Sequence, residues 1–286
     1  MSFSVCPHYP FRQHRQAKIC PDFQRNLPRD AAQSARMRTA TLQISIRPSG
    51  TLTPAELQEI WTLTERYIQT PRDYYESKLL GLPEIGLWRV RGGELAGLVS
   101  LHVHPIEWHG RTRIIIFTSS VVADERFRGR NLVLRTGLRL LLREKLRRPL
   151  TPAYWFFDTF SYKSYLLLAR NLREFWPRRG RETPADTAAF IDKLATDRYG
   201  ADWNRATGVV RRSGYKQLRP HTAPVEGKLR SDPDVSFFES ANPGHGEGDM
   251  LVCLAPLTVR NLFGAIARAT VAAVRAPRRG YHSHHP

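Results

Sequence analysis

A run at residues 112–122, TRIIIFTSSVV, most constrains how this chain can fold, because it is almost entirely apolar or small. Such a run is typical of a strand that is buried on both faces of a sheet. Two alternating runs precede it, GLWRVR at 86–91 and LAGLVSLHVH at 95–104, and a Gly-Gly pair separates them. A Gly-Gly turn between alternating runs predicts an antiparallel hairpin. We interpret the next residues, PIEWHG, as a loop that leads into the buried run.

Helical and strand-like patterns surround this hairpin in an order that predicts an α/β fold. The segment 41–47 alternates like a strand, and the segment 51–79 reads as one helix in which Thr53 and Glu56 form a capping box. Downstream, the patterns predict helices at 132–148, 161–175 and 184–199, a strand at 153–158, and weaker strands at 207–212 and 249–255 with a loop between them. Hairpins beside a strand–helix–strand crossover favour a mixed, mostly antiparallel central sheet flanked by helices.

Positive charge is concentrated in three parts of the sequence, although the chain as a whole carries +18. Residues 1–50 carry +6, residues 126–148 carry +8 and residues 256–286 carry +5, so the rest is close to neutral. Basic ends predict loose, non-specific contact with polyanions or with a membrane surface. The internal block is more informative because it lies inside a segment that is expected to fold.

Composition sets the domain organisation and the expected compartment. We expect a basic tail at 1–40, disordered or dispensable and with an alternative start at Met37, then one domain at 41–256, and an amphipathic helix with a His-rich tail at 257–286. The sequence contains no apolar run of about 18 residues and no secretory h-region, so no transmembrane segment is expected. Three cysteines without paired spacing fit a reducing compartment, and we therefore expect a cytoplasmic protein.

The stretch ERFRGRNLVLRTG at 125–137 joins the buried run to the helix at 132–148, and it has the features of an anion-binding loop. Backbone N–H groups are unpaired at a helix start, and the helix dipole adds partial positive charge there. Gly129 allows close approach of a ligand to the backbone, while Arg126, Arg128 and Arg130 supply fixed charge. A solvated Arg-rich turn is the alternative. Four basic residues at i,i+4 spacing on the following helix favour an anionic ligand, since like charges at this spacing repel each other.

The segment VVADERFRGRNLVLRTGLRLLL at 121–142 resembles the acetyl-CoA-binding motif of the GNAT acetyltransferase superfamily. There a strand leads into an Arg- and Gly-rich loop and a long helix. The preferred alignment places Arg128 at the first motif position and Asn131 and Val133 at the two Gly positions. The alternative, shifted by two residues, places Arg126 first and Gly129 and Asn131 at the Gly positions, and in either alignment a small residue is missing. The resemblance covers roughly residues 40–180 and implies acetyl transfer from acetyl-CoA to an amine. It also implies that the strand end and the loop hold acetyl-CoA through these residues: Ser120, Val121, Val122, Arg126, Arg128, Gly129, Arg130 and Asn131.

The resemblance further implies where acid and base groups would lie. The family's acid is commonly a Tyr seven residues after an Asn on the helix that follows the next strand. Ser161 stands at the Asn position and is assigned to the cofactor site, but Leu168 occupies the Tyr position. Tyr165, one turn earlier, is therefore our candidate acid, with aromatic packing on the sheet as the alternative. Asp158 is the candidate base, or else the cap of the next helix.

Three functional hypotheses follow from these residues. The first is an N-acetyltransferase for an unnamed small-molecule amine or peptide, and a homodimer is the assembly to test. The second is a GNAT-like fold that has lost catalysis and binds CoA or a polyanion. The third, a nucleic-acid-binding protein, is favoured only by the basic tails. No metal is expected, because His102, His104 and His109 have no Cys or carboxylate at ligand spacing.

Overall fold

The computed structural model describes residues 41–262, except residues 92, 128, 129, 213 and 226. The expected tail at 1–40 and most of the expected C-terminal segment therefore lie outside the described residues. The strands are β1 (Leu42–Pro48), β2 (Ile68–Gln69), β3 (Glu84–Val90), β4 (Leu95–Trp108), β5 (Arg111–Ala123), β6 (Ala153–Thr159), β7 (Trp203–Asn204), β8 (Val209–Val210), β9 (Gln217–Leu218) and β10 (Met250–Pro256). The helices are α1 (Pro54–Thr64), α2 (Arg72–Leu80), α3 (Leu132–Arg147), α4 (Tyr162–Asn171), α5 (Ala185–Tyr199) and α6 (Pro233–Ala241).

The central sheet is mixed and mostly antiparallel, as the sequence predicts. Within the described residues it has eight strands in the order β1-β3-β4-β5-β6-β10-β8-β7. Only the pairing of β5 with β6 is parallel there, and α3 forms the crossover between these two strands. Helices pack on both faces. Phe156 of β6 belongs to the cluster with α1 and α5, whereas Trp155 and Phe157 belong to the cluster with α4 and α6.

The segment 51–79, predicted as one helix, is two helices with a short strand between them. The capping box that starts α1 is confirmed, because the Thr53 hydroxyl accepts from the Glu56 N–H and the Glu56 carboxylate accepts from the Thr53 N–H. The helix ends at Thr64, and Ile68–Gln69 then pairs with β9. Pro71 precedes α2 and restricts the residue before it to extended backbone. Long-range pairing with β9 thus overrides the helical pattern.

Two further elements differ from the sequence interpretation. The predicted loop at 105–110 is instead the end of β4, and the turn is formed by His109 and Gly110, whose φ values are 50° and 67°. Pro105 is tolerated inside the strand because β3 pairs with β4 only as far as Leu101, which leaves one side of β4 as an edge. The segment taken as a loop before β10 contains α6. Asp232 caps this helix and accepts hydrogen bonds from two backbone N–H groups.

Candidate active site: a cleft where two parallel strands part

The parallel strands β5 and β6 separate towards their carboxyl ends, and a cleft opens between them. Their pairing runs from Ile114↔Ala153 to Thr118↔Phe157. Beyond that point β5 continues to Ala123 paired only with β4, while β6 ends at Thr159 and leads into α4. The cleft is therefore bordered by the free side of β5, the end of β6 and the first turns of α4.

A bulge at Ser120 shapes the β5 wall of this cleft. Leu98 pairs with Val122 but Ser100 pairs with Ser119, so β5 carries one extra residue at this point. Ser120 itself has φ 49°, in the left-handed region that non-glycine residues rarely adopt. Bulges and left-handed residues of this kind concentrate at functional sites, where they redirect side chains and backbone groups. Ser120, Val121 and Val122 line the cleft, so the strand end lies where the sequence expected it.

One part of the cleft, which we call the α4 side, runs between α3 and α4. Val133 of α3 faces Lys163, Ser164 and Leu167 of α4 along it. The groove continues past these residues to Arg130 and Asn131 at the start of α3. Its wall is mostly apolar in the middle and basic at the α3 end. The α4 side is therefore a channel that joins the bulged strand to the start of a helix.

The N-cap side chain at the start of α3 leaves the first backbone N–H groups of the helix uncapped. Asn131 has left-handed backbone, with φ 52°, and its side chain makes no capping hydrogen bond. The first turn of α3 contains no acidic residue. Arg130 is half-buried, and burial followed by the positive charge of Arg135 lowers its pKa. An anion at this point would receive unpaired N–H groups and positive charge together. Arg128 and Gly129 lie outside the described residues.

Arg126 is engaged with acidic side chains instead of facing the groove. Its guanidinium donates to both carboxylate oxygens of Asp124, at 2.8 and 2.7 Å, and also to Glu94. The Asp124 side chain is only 1% exposed and makes a second ion pair with Arg66 at 3.0 Å. These pairs hold the loop after β5 to neighbouring segments. This placement does not support the role of cofactor ligand for Arg126.

Tyr165 lies in the hydrophobic core and does not line the cleft. It is 0% exposed and packs against Phe175, Phe237 and Phe238 at ring-centroid distances of 5.6–5.9 Å. Its hydroxyl donates to the carbonyl oxygen of Pro177 at 3.3 Å, and burial raises its pKa. A general acid must reach the reacting atoms and release a proton to them. The structure therefore favours the alternative, aromatic packing, over the role of general acid.

Asp158 and Ser161 both lie at the cleft, at the junction between β6 and α4. Ser161 caps α4, since its hydroxyl accepts from the Lys163 N–H at 3.3 Å, and it lines the α4 side. Asp158 is half-buried at the end of β6 and borders the cleft on both sides. The capping alternative for Asp158 is wrong, because Ser161 is the cap. Asp158 is thus the carboxylate that both parts of the cleft share.

A second part of the cleft, the α5 side, lies across Asp158 from the α4 side. Its walls carry Arg198 and Tyr199 from the end of α5, and Arg212 and Lys216 from the segment before β9. Burial lowers the pKa of Lys216; the negative charge of Asp158 opposes this shift and Arg212 adds to it. Burial raises the pKa of Tyr199, and Asp158 acts in the same direction. Sequence reasoning missed these four residues, because they belong to no motif and only the fold brings them together.

The three histidines considered for metal binding do not form a metal site in the described part of the chain. His102 and His104 stack on each other with ring centroids 4.2 Å apart. His109, in the turn after β4, contacts Asp186 at 3.0 Å. Among the described residues, no cluster of three or more His, Cys, Asp or Glu side chains is placed to hold a metal ion. Every helix in the described ranges is too short or too polar to span a bilayer.

Comparison with known proteins gives a likeness in structure alone. No family model and no curated protein matches this sequence. Solved structures that resemble it include proteins described as N-acyltransferases. A probable N-acyltransferase from Enterococcus faecalis is 16% identical over 54% of this chain and 43% of its own, with TM-score 0.33. An acyl-CoA N-acyltransferase from Pseudomonas aeruginosa is 21% identical over 41% and 79%, with TM-score 0.30.

A GNAT family N-acetyltransferase from Escherichia coli, solved in complex with CoA, is 18% identical over 46% of this chain and 72% of its own, with TM-score 0.30. Of the first of these structures, the one from Enterococcus faecalis, this chain spans less than half the length. All three likenesses have TM-scores of 0.30–0.33. At TM-scores below 0.5 they assign no activity to this chain, so its function has to be argued from its own residues.

Proposed function

We propose that this protein is a GNAT-type N-acyltransferase that transfers an acetyl or related acyl group from acyl-CoA to an amine. The observation that carries the proposal is the parting of β5 and β6 beyond Thr118 and Phe157, with the bulge at Ser120 on one border. The gap joins the α4 side of the cleft to the α5 side through the centre of the sheet. A thioester entering from one side and an amine entering from the other would meet beside Asp158.

The α4 side has the chemistry that a CoA molecule needs. The start of α3, with its uncapped N–H groups and Arg130, suits a pyrophosphate. The apolar stretch along Val133 and Leu167 suits the pantetheine arm, and the bulged strand end would place backbone groups beside the thioester. When bound, acyl-CoA supplies an activated acyl carbonyl. Proximity of the two reactants then accounts for much of the rate.

Asp158 is the base in this proposal. The amine nitrogen attacks the thioester carbonyl carbon, a C–N bond forms, and the C–S bond breaks. The proton that the amine loses passes to Asp158, directly or through one water. The leaving thiolate takes its proton from water that enters through the open mouth of the cleft, since Tyr165 is buried in the core. No other residue is required to change its protonation state.

Binding and turnover are tested separately. Calorimetry with CoA, acetyl-CoA and desulfo-CoA measures the α4 side, and release of free thiol in the presence of an amine panel measures transfer. The Ser164→Phe substitution places a ring in the α4 side, and we expect it to weaken CoA binding at least about tenfold. The matched control is Ala188→Phe, at an exposed position on α5 outside the cleft.

The outcomes separate the hypotheses. Tight CoA binding with thiol release supports the proposal. CoA binding with no release for any amine supports instead a binding module that has lost catalysis. Equal CoA affinity in the wild type and the Ser164→Phe variant would remove the α4 side as the cofactor groove. Four points stay predictions from the sequence: a cytoplasmic location, a homodimer, non-specific polyanion contact through the basic ends, and acetyl as the acyl group.

A further inference from the structure

Charge on the α5 side of the cleft is arranged asymmetrically around Asp158. Asp197 on this side pairs with Lys193 at 2.9 Å, and Arg212 pairs with Asp202 at 2.8 Å, so these charges are compensated within the protein. Three cationic side chains on the same wall make no ion pair with any described residue: Lys78, Arg198 and Lys216. Asp158 likewise makes no ion pair with a described residue, although its charge acts on Lys216, so the α5 side offers one carboxylate and an excess of positive charge.

The free carboxylate and the free cations occupy different positions. Asp158 stands at the gap between β5 and β6, where the two sides of the cleft meet. Arg198 lies in the last turn of α5, on the outer part of the wall, with its guanidinium 3.4 Å from the centroid of the Phe117 ring. Lys216 is half-buried above Phe160, with its Nζ 4.8 Å from that ring centroid. Aromatic faces thus contact both cations, and of the two only Lys216 also feels the charge of Asp158.

A ligand complementary to this wall has a positive end and a negative end. Its amine would lie beside Asp158, where the proposed reaction takes place. Its anionic group would lie against Arg198 and Lys216, since a cation on a partly desolvated surface is stabilised by an anion. A polyamine would place further positive charge against these residues and would be repelled. A neutral amine would leave the cations without a partner.

We infer that the acyl acceptor is a small molecule that carries both a primary amine and a carboxylate, as a free amino acid does, and that Arg198 and Lys216 bind its carboxylate. This inference rests on the proposed function for the fate of the amine, but the recognition of the carboxylate is a separate property of the α5 side. Arg198 and Lys216 are specificity-determining residues in this scheme. Asp158 faces the reacting nitrogen.

The first test compares matched acceptors. Each of a panel of free amino acids is assayed for acyl transfer beside its carboxamide and its decarboxylated amine. A dipeptide that begins with the same amino acid is a fourth acceptor. We expect kcat/KM to be at least about tenfold higher for the acceptors that keep a carboxylate. A preference for the free amino acid over the dipeptide would place the carboxylate close to the amine. Equal or higher kcat/KM for the carboxamides would overturn the inference.

The second test uses variants. Arg198→Gln and Lys216→Met should each raise the acceptor KM at least about fivefold and reduce the preference for a carboxylate. Arg198 lines only the α5 side, so its variant should also leave the KM for acyl-CoA unchanged, whereas Lys216 borders both sides of the cleft. Arg205→Gln is the matched control, because Arg205 is an exposed arginine paired with Asp192 outside the cleft. Unchanged acceptor KM in both cleft variants would contradict the assignment even if the wild type prefers carboxylates.

A direct binding measurement separates this inference from the proposed function. Calorimetry with an amino acid alone, without acyl-CoA, should give saturable binding that Arg198→Gln weakens and that the carboxamide does not reproduce. If that binding is seen but no thiol is released, recognition of the carboxylate is supported and acyl transfer is contradicted. If thiol is released with no preference for a carboxylate, acyl transfer is supported and recognition of the carboxylate is contradicted.

Discussion

Arg126 donates hydrogen bonds to both carboxylate oxygens of Asp124, a residue whose side chain is only 1% exposed. The Arg126→Gln substitution would leave this buried carboxylate with Arg66 as its remaining cationic partner. We expect a loss of about 1–2 kcal/mol in the free energy of unfolding, because a buried charge loses a paired donor. Thermal or urea unfolding measures it. Unchanged stability together with weaker CoA binding would return Arg126 to the ligand role that the sequence suggested.

Asp158 should be needed for turnover and not for cofactor binding. The Asp158→Asn substitution keeps the shape of the side chain but removes its capacity to accept a proton, so kcat should fall by about 10²-fold or more. CoA affinity by calorimetry should stay within about twofold. Asp186→Asn, at an exposed position outside the cleft, is the control. Full turnover in the Asp158 variant would exclude it as the base.

Tyr165→Phe should affect stability and leave catalysis intact. The substitution removes the hydrogen bond to the Pro177 carbonyl in the core, for which we expect a loss of about 0.5–1.5 kcal/mol in unfolding free energy. The rate of thiol release at saturating substrate should remain within about twofold of wild type. A fall in kcat of about 10²-fold with an unchanged melting temperature would show that the hydroxyl reaches the reacting atoms after all.

The left-handed backbone at Ser120 predicts an unusual response to glycine. Ser120→Gly and Ser120→Ala both remove the hydroxyl, but only glycine adopts φ 49° without steric cost. The glycine variant should therefore be more stable than the alanine variant by about 1 kcal/mol. At Ser119, in regular strand, the same comparison should favour alanine. The same order of stability at both positions would mean that the bulge relaxes when Ser120 is changed.

The stacked pair His102 and His104 should make stability depend on pH. Burial lowers the pKa of His104 to about 4, and the neighbouring His102 and Arg198 act in the same direction. Burial and Arg198 also lower the pKa of His102, an effect that Glu84 opposes. Because the folded-state pKa lies below the unfolded value, this contribution is present above about pH 6.5 and is lost as the pH falls towards 4.

Between pH 7 and pH 5 we expect His104 to account for a loss of about 1 kcal/mol, a figure reduced for its partial exposure to solvent. Urea unfolding of wild type and of His104→Gln across this range measures the effect. The variant should show a flatter dependence of the unfolding free energy on pH. Parallel curves for the two proteins would rule out His104 as the source.

Local patterns in the sequence determined most of the elements that position the cleft. The apolar run at 112–122 is the centre of the sheet, and the order of hairpin, crossover helix and strand predicts the mixed sheet. The start of α3 follows the loop that the sequence identified, and Ser161 caps α4 as expected. These features depend on periodicity and capping, which neighbouring residues set. The Asp-Pro pair at 232–233 carries the same kind of signal for α6, in the segment interpreted as a loop from the sequence.

Only the tertiary structure decided which side chains meet at the cleft. Tyr165 and Asp158 are close in sequence, yet helical phase turns Tyr165 into the aromatic core while Asp158 faces the gap. Arg126 has the positive charge that would bind an anion, but its guanidinium donates hydrogen bonds to Asp124 and Glu94 instead. Lys216 reaches the site from a distant segment because β9 pairs with Ile68–Gln69. Burial, ion pairing and contacts between distant segments are properties of the folded chain, since each depends on residues that no local pattern specifies.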